Sequence, residues 1–94
     1  MVQFDWDERK NKLNRKKHGI WFEEAVHIFE DPQVRFFLDQ EHLNEEDRFV
    51  AIGQGSESSL LVVVHCYRDT DNIVRIISAR RASRKERLFY EEGI

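Results

Sequence analysis

Apolar and polar positions alternate along residues 2–6, with Val2, Phe4 and Trp6 on one side, which is the period of a short strand. The pattern then becomes helical. Asp7 is placed as an N-cap or first-turn acid, residues 8–18 favour a helix, and Gly19 is the expected stop. Trp6, Leu13 and Ile20 recur at seven-residue spacing and predict a narrow apolar stripe. Lys10, Asn14 and Lys17 lie beside Leu13 and border the body of the protein, whereas Lys12, Arg15 and Lys16 point to solvent. Residues 22–30 predict a second amphipathic helix presenting Phe22, Ala25, Val26 and Phe29. Asp31 and Pro32 end it, because proline disfavours helical geometry in the residue before it.

The middle of the chain is β in character, with strands predicted over 34–39, 48–54, 60–67 and 73–78. Their connections are a polar acidic loop (40–47), a Gly/Ser turn (54–59) and a polar turn (69–72), short enough for antiparallel meanders. Strand 60–67 is apolar on both faces, so it belongs in the centre of the sheet with a helix over at least one side. Ser83 and Glu86 form a capping-box pattern that opens a last helix running to about residue 92. The expected fold is α+β, a mostly antiparallel sheet of four to five strands with helices packed on it, in the order β-α-α-β-β-β-β-α.

Ninety-four residues suffice for one modest core, hence one domain over 1–94. The single cysteine, Cys66, leaves no internal disulfide and no cysteine-based zinc site, and a lone thiol fits a reducing cytoplasm. The first residues lack an apolar run of signal-peptide length, and the run 60–64 is far too short to span a bilayer. Charge changes the picture most. Residues 8–18 carry six Lys/Arg against one acid, and 75–87 again six against one, while 22–74 hold three basic and twelve acidic residues. The net of −3 therefore conceals two cationic segments. Brought together by folding, they make a phosphate-binding pole on an acidic protein, and the acidic middle confines nucleic acid to that pole.

The ordered motifs resemble those of the BrnT family, bacterial type II toxins similar in fold to RelE-type ribonucleases. They are Phe4, Asp5, Trp6, Asp7 and Glu8; Lys10 and Asn14 with Lys17, His18 and Gly19; and Phe22 to Ala25. Asp31 and Pro32, Ile52 and Gly53, the strand Leu61 to His65, and Arg75 to Arg80 leading into Arg84, Glu86, Tyr90 and Glu91 complete the set. The resemblance implies a metal-independent endoribonuclease that arrests translation and growth. It also implies inhibition by a DNA-binding ribbon-helix-helix antitoxin, encoded adjacently, in a complex of two toxins and two antitoxins. Trp21 and Cys66 depart from the family pattern, where a smaller residue and a hydroxyl residue are usual.

Metal-free RNA cleavage needs a base for the 2′-hydroxyl proton, cations on the pentacoordinate phosphate and an acid for the 5′-oxygen. His65 has two readings, a core histidine satisfied by a backbone carbonyl or a catalytic imidazole at a strand end beside Tyr67 on the same face. Arg80, between the fourth predicted middle strand and the capped helix, is the foremost candidate for the transition-state cation, with Arg81 and Arg84 beside it. Arg75 is expected in a salt bridge with the acidic middle. Lys17 and His18 complement the negative end of the first helix; a catalytic role for them rests on the resemblance, and Lys10 joins Lys17 in lining a groove. No metal or cofactor is expected. Gly53 and Gly55 lack the residues of a phosphate loop, no His/Cys/Asp cluster has ligand spacing, and Glu45, Glu46 and Asp47 sit in a solvated loop. Two other classes remain open: a non-enzymatic toxin that binds a target such as gyrase, and a small RNA-binding regulator.

Overall fold

The computed structural model describes residues 2–39, 48–68 and 72–93. The predicted acidic loop with His42 and the Glu45, Glu46 and Asp47 acids lies outside the described residues, as do 69–71 of the last predicted turn. In chain order the elements are β1 (Gln3–Asp5), α1 (Glu8–His18), α2 (Phe22–Ala25), a 3-10 helix (Val26–Glu30), β2 (Arg35–Leu38), β3 (Phe49–Gln54), β4 (Leu60–Arg68), β5 (Ile73–Arg81) and α3 (Arg84–Glu92). The five strands form one sheet in the order β1-β5-β4-β3-β2. β2 to β5 are the expected antiparallel meander, β4 is central, and β1 pairs parallel with β5 at its first three residues.

The sheet buries both faces. On the first, Ile20, Phe22, Ala25 and Ile28 pack over Ala51, Leu61, Val63, Ile76 and Ala79. On the second, Tyr90 and Phe89 of α3 cover Val50, Ile52, Leu60 and Val62. The apolar run 60–64 is explained by this two-sided burial. The first-face helix is only half α-helical: after Ala25 the chain tightens into the 3-10 form, which turns Ile28 rather than Phe29 fully inward. Here β3 approaches so closely that a Cβ on Gly53 would stand 3.1 Å from both Cβ and the carbonyl oxygen of Ile28.

α1 begins and ends as expected. Asp7 accepts from the Arg9 amide, and Gly19 takes φ 78° with its N–H bonded to the Arg15 carbonyl. The apolar stripe is a different matter. Leu13 is 66% exposed, and the buried side chains of α1 are Asn11 and Asn14. Asn14 donates to the carbonyls of Ala79 (2.8 Å) and Ile20 (2.9 Å) and accepts from the Ala79 amide (3.1 Å). Asn11 donates to Glu23 (2.8 Å) and Glu8 (3.0 Å) and accepts from the Phe22 amide (2.7 Å). β1 is too short to pair with the far half of β5, so the Asn14 amide completes the strand edge there. Trp6 and Ile20 of the predicted stripe pack into the core on either side of α1, but within the helix hydrogen bonds rather than Leu13 dock it. Asn14→Ala is expected to cost about 2–4 kcal/mol, because it orphans buried backbone groups, whereas Leu13→Lys should change stability by less than about 0.5 kcal/mol. Urea titrations of both variants measure the difference.

Arg75 finds its salt bridge with Asp5 of β1 at 2.7 Å, not with the acidic middle. The parallel pairing places the Asp5 carboxylate directly across the strand from Arg75. α3 is held at its far end by the Tyr90 hydroxyl, which donates to Asp31 at 2.6 Å. Burial pushes the Asp31 carboxyl up, but bonds from Tyr90 and the Gln33 and Gln54 amides outweigh it and hold the group below its usual value. The buried Tyr90 phenol is pushed up to about 12. No helix among the described residues is long and apolar enough to cross a membrane.

Candidate active site

β5 runs to Arg81, so Arg80 and Arg81 are strand residues rather than parts of a turn. Strand alternation sends them to opposite faces. Arg80 pairs with Val62 on the α3 face, and Arg81 pairs with Leu61 on the first. A bulge shifts the β4–β5 register between Val64↔Ser78 and His65↔Ile76, leaving Ile77 as the additional residue. Ser78 thus joins Arg80 on the α3 face.

α3 is too short to cover that face, and a groove of 440 Å³ remains. Val62, Val64 and Ser78 lie along it, and its charged lining is Arg80 and Arg48 together with Glu86 and Asp39. Arg80 donates to Glu86 through both terminal nitrogens, at 2.8 and 2.7 Å, and to the Arg81 carbonyl at 3.2 Å. Glu86 meanwhile accepts from the Ser83 amide at 2.8 Å in the capping box of α3. The Arg80 fork holds the Glu86 carboxyl down to about 2, against the opposing effect of burial. The guanidinium is thereby fixed in orientation by the helix start while its side chain stays 44% exposed.

A second cavity of 210 Å³ shares Ile77 and Ser78 with the groove and is lined by Lys10, Lys17 and His18 of α1. The Asn14 anchor keeps the two cavities adjoining, since it lashes α1 to β5 one residue from Arg80. The two cationic segments of the sequence therefore meet along one stretch of surface. Among the described residues, no group of three His, Cys, Asp or Glu stands together as metal ligands.

His65 is elsewhere. Its imidazole is on the first face, fully buried among Phe29, Phe36, Phe49 and Tyr67, whose ring centroids stand 5.0–6.1 Å away. Nδ1 lies 3.3 Å from the Val63 carbonyl and Nε2 3.3 Å from the Tyr67 hydroxyl. Burial lowers the imidazole to about 4. The structure does not bring His65 and Arg80 together. They are three residues apart in register on β4, which puts the sheet between them. Tyr67 goes with His65. Arg81 donates to Ser59 at 2.9 Å and borders a separate cavity with Arg15 and Trp21, and Arg84, the exposed first residue of α3, does not line the groove.

Arg48, Ser78 and Glu86 were not singled out for the site by sequence reasoning. Arg48 could have been found from alternation, since it shares a face with Val50 and Ile52. Ser78 could not, because its orientation depends on the bulge.

The family model for the ribonuclease toxin BrnT of type II toxin–antitoxin systems matches residues 6–86. The chain belongs to the BrnT family. The crystal structure of the Brucella abortus ribonuclease toxin BrnT superposes with a TM-score of 0.67 at 24% identity, over 89% of this chain and 100% of that one. That likeness is one of fold. No curated protein matches the chain by sequence. The BrnT match spans α1 through the first turn of α3 and so contains Lys10, Lys17, His18, Arg48, Ser78, Arg80 and Glu86. Of the two departures from the family pattern, Trp21 is exposed with the Arg15 guanidinium 5.6 Å from its ring centroid. Cys66 is buried opposite Arg75.

Proposed function

We propose that this BrnT-family toxin is a metal-independent endoribonuclease acting on single-stranded RNA, with its active site in the groove between β5, α1 and α3. The reading is carried by one observation, the convergence of α1 cations with Arg80 and Arg48 on adjoining cavities in a member of a ribonuclease family. Arg80, oriented by Glu86, and Arg48 neutralise the scissile phosphate. His18 accepts the 2′-hydroxyl proton as that oxygen bonds to phosphorus. Lys17 returns a proton to the 5′-oxygen as its bond to phosphorus breaks, which leaves a 2′,3′-cyclic phosphate and a 5′-hydroxyl. Lys10 contributes to holding the strand. Cleavage of the RNA arrests translation and growth in the cytoplasm until an adjacently encoded ribbon-helix-helix antitoxin covers the groove, two copies of each protein to a complex.

The test is purified protein with end-labelled single-stranded RNA in EDTA. Cleavage to 2′,3′-cyclic phosphate ends is expected, slowing steeply as salt rises because phosphate contacts release counterions. RNA left intact by a protein that still arrests growth would instead support a non-enzymatic, target-binding toxin.

A further inference from the structure

Away from its cationic wall the groove continues onto an apolar shelf. Phe37, Ile52 and Phe89 line a cavity of 540 Å³ that shares Phe37 and Glu86 with the groove. The pairing of Phe37 with Val50 puts its ring on the α3 face, opposite to Phe36. The ring meets Phe89 edge-on at 5.6 Å and 81°, which holds it upright while 39% of the residue stays exposed. Phe37, Ile52 and Phe89 supply its apolar surface, and the charged side chains of Lys85 and Glu86 complete its lining. Next to it stand Arg80 and Arg48, with Glu86 and Asp39 in the same groove.

A phosphate wall followed by an aromatic shelf is the shape of a nucleotide with its base turned out. Unstacked bases of single-stranded RNA pack on aromatic side chains while their phosphates lie in cationic grooves. We infer that the Phe37–Phe89 shelf is the nucleobase subsite of the RNA groove, with Phe37 as the stacking residue. This rests on the ribonuclease reading above. The continuity of the shelf with the cationic groove favours a nucleotide over an apolar antitoxin segment, which would not need the adjoining arginines.

Two fluorescein-labelled 2′-O-methyl hexanucleotides, uncleavable for want of a free 2′-hydroxyl, separate the contributions: one carries its bases, the other is abasic. Anisotropy titrations of the wild type should show the base-bearing strand bound about tenfold tighter. Phe37→Leu, which keeps apolar packing against Phe89 without an aromatic ring, should lose that preference and bind the abasic strand as the wild type does. Phe37→Trp should keep the preference. A Phe37→Leu protein that discriminates as well as the wild type would overturn the subsite. So would one that binds both strands normally and fails to hold the co-expressed antitoxin, which would make the shelf a protein-docking surface. If the wild type neither binds nor cuts RNA, the ribonuclease reading itself fails, and the subsite with it.

Discussion

Arg80→Ala should slow RNA cleavage by about 10²–10³-fold, the usual loss when a positioned transition-state cation or donor is removed. The fold should survive, because Ser83 still caps α3 and Glu86 still accepts from the Ser83 amide. Arg80→Lys keeps the charge but not the fork that grips Glu86 through two nitrogens, so roughly tenfold of the rate should go with it. Expression of Arg80→Ala without antitoxin should permit growth. Parental cleavage by a folded Arg80→Ala protein, checked by circular dichroism, would take Arg80 out of the mechanism.

The second large effect is on stability. His65 fills an aromatic cage on the first face, and His65→Ala should cost about 3 kcal/mol in the lost packing and the cavity left behind. The same burial makes stability depend on pH. An unfolded chain takes up a proton at this imidazole near pH 6.5, whereas the native state resists it down to about 4. Stability is unaffected above 6.5 and falls as pH drops toward 4, by about 3 kcal/mol in all. Glu86 acts in a lower window. Its folded value of about 2 lies below the ordinary 4.5, so the stability it contributes is present above 4.5 and is lost toward 2. Denaturation between pH 7 and 4 should show a steep loss for the parent and a much flatter one for His65→Leu. Equal slopes would mean that the imidazole is protonated in the native state.

The element boundaries were largely legible because their signals are local. Asp7, Gly19, Ser83 and Glu86 mark helix ends by side chains that bond their own backbone, and the double-sided apolar run marks β4 as central. What failed was non-local. Leu13 was read by periodicity as part of an apolar stripe with Asn14 beside it, but Leu13 is exposed and Asn14, with Asn11, docks α1 because the open edge of β5 needs hydrogen-bonding partners. The end of β5 was drawn too early, which hid the alternation that separates Arg80 from Arg81. His65 was placed correctly on the face of Tyr67, and that face turned out to be the closed one. Whether a strand face is covered depends on where helices far along the chain return, and no spacing within the strand records it. Convergence of the cationic segments was expected, though the Arg80–Glu86 pairing within it was not.

The decisive measurement is the single-turnover cleavage rate of His65→Leu beside that of Arg80→Ala, on the same RNA and in EDTA. With the reaction on the α3 face, His65→Leu should stay within about threefold of the parent, less than 1 kcal/mol in the barrier, while Arg80→Ala falls by two orders of magnitude or more. A folded His65→Leu protein that no longer cuts, with Arg80→Ala still active, would place the chemistry on the opposite face and contradict the groove.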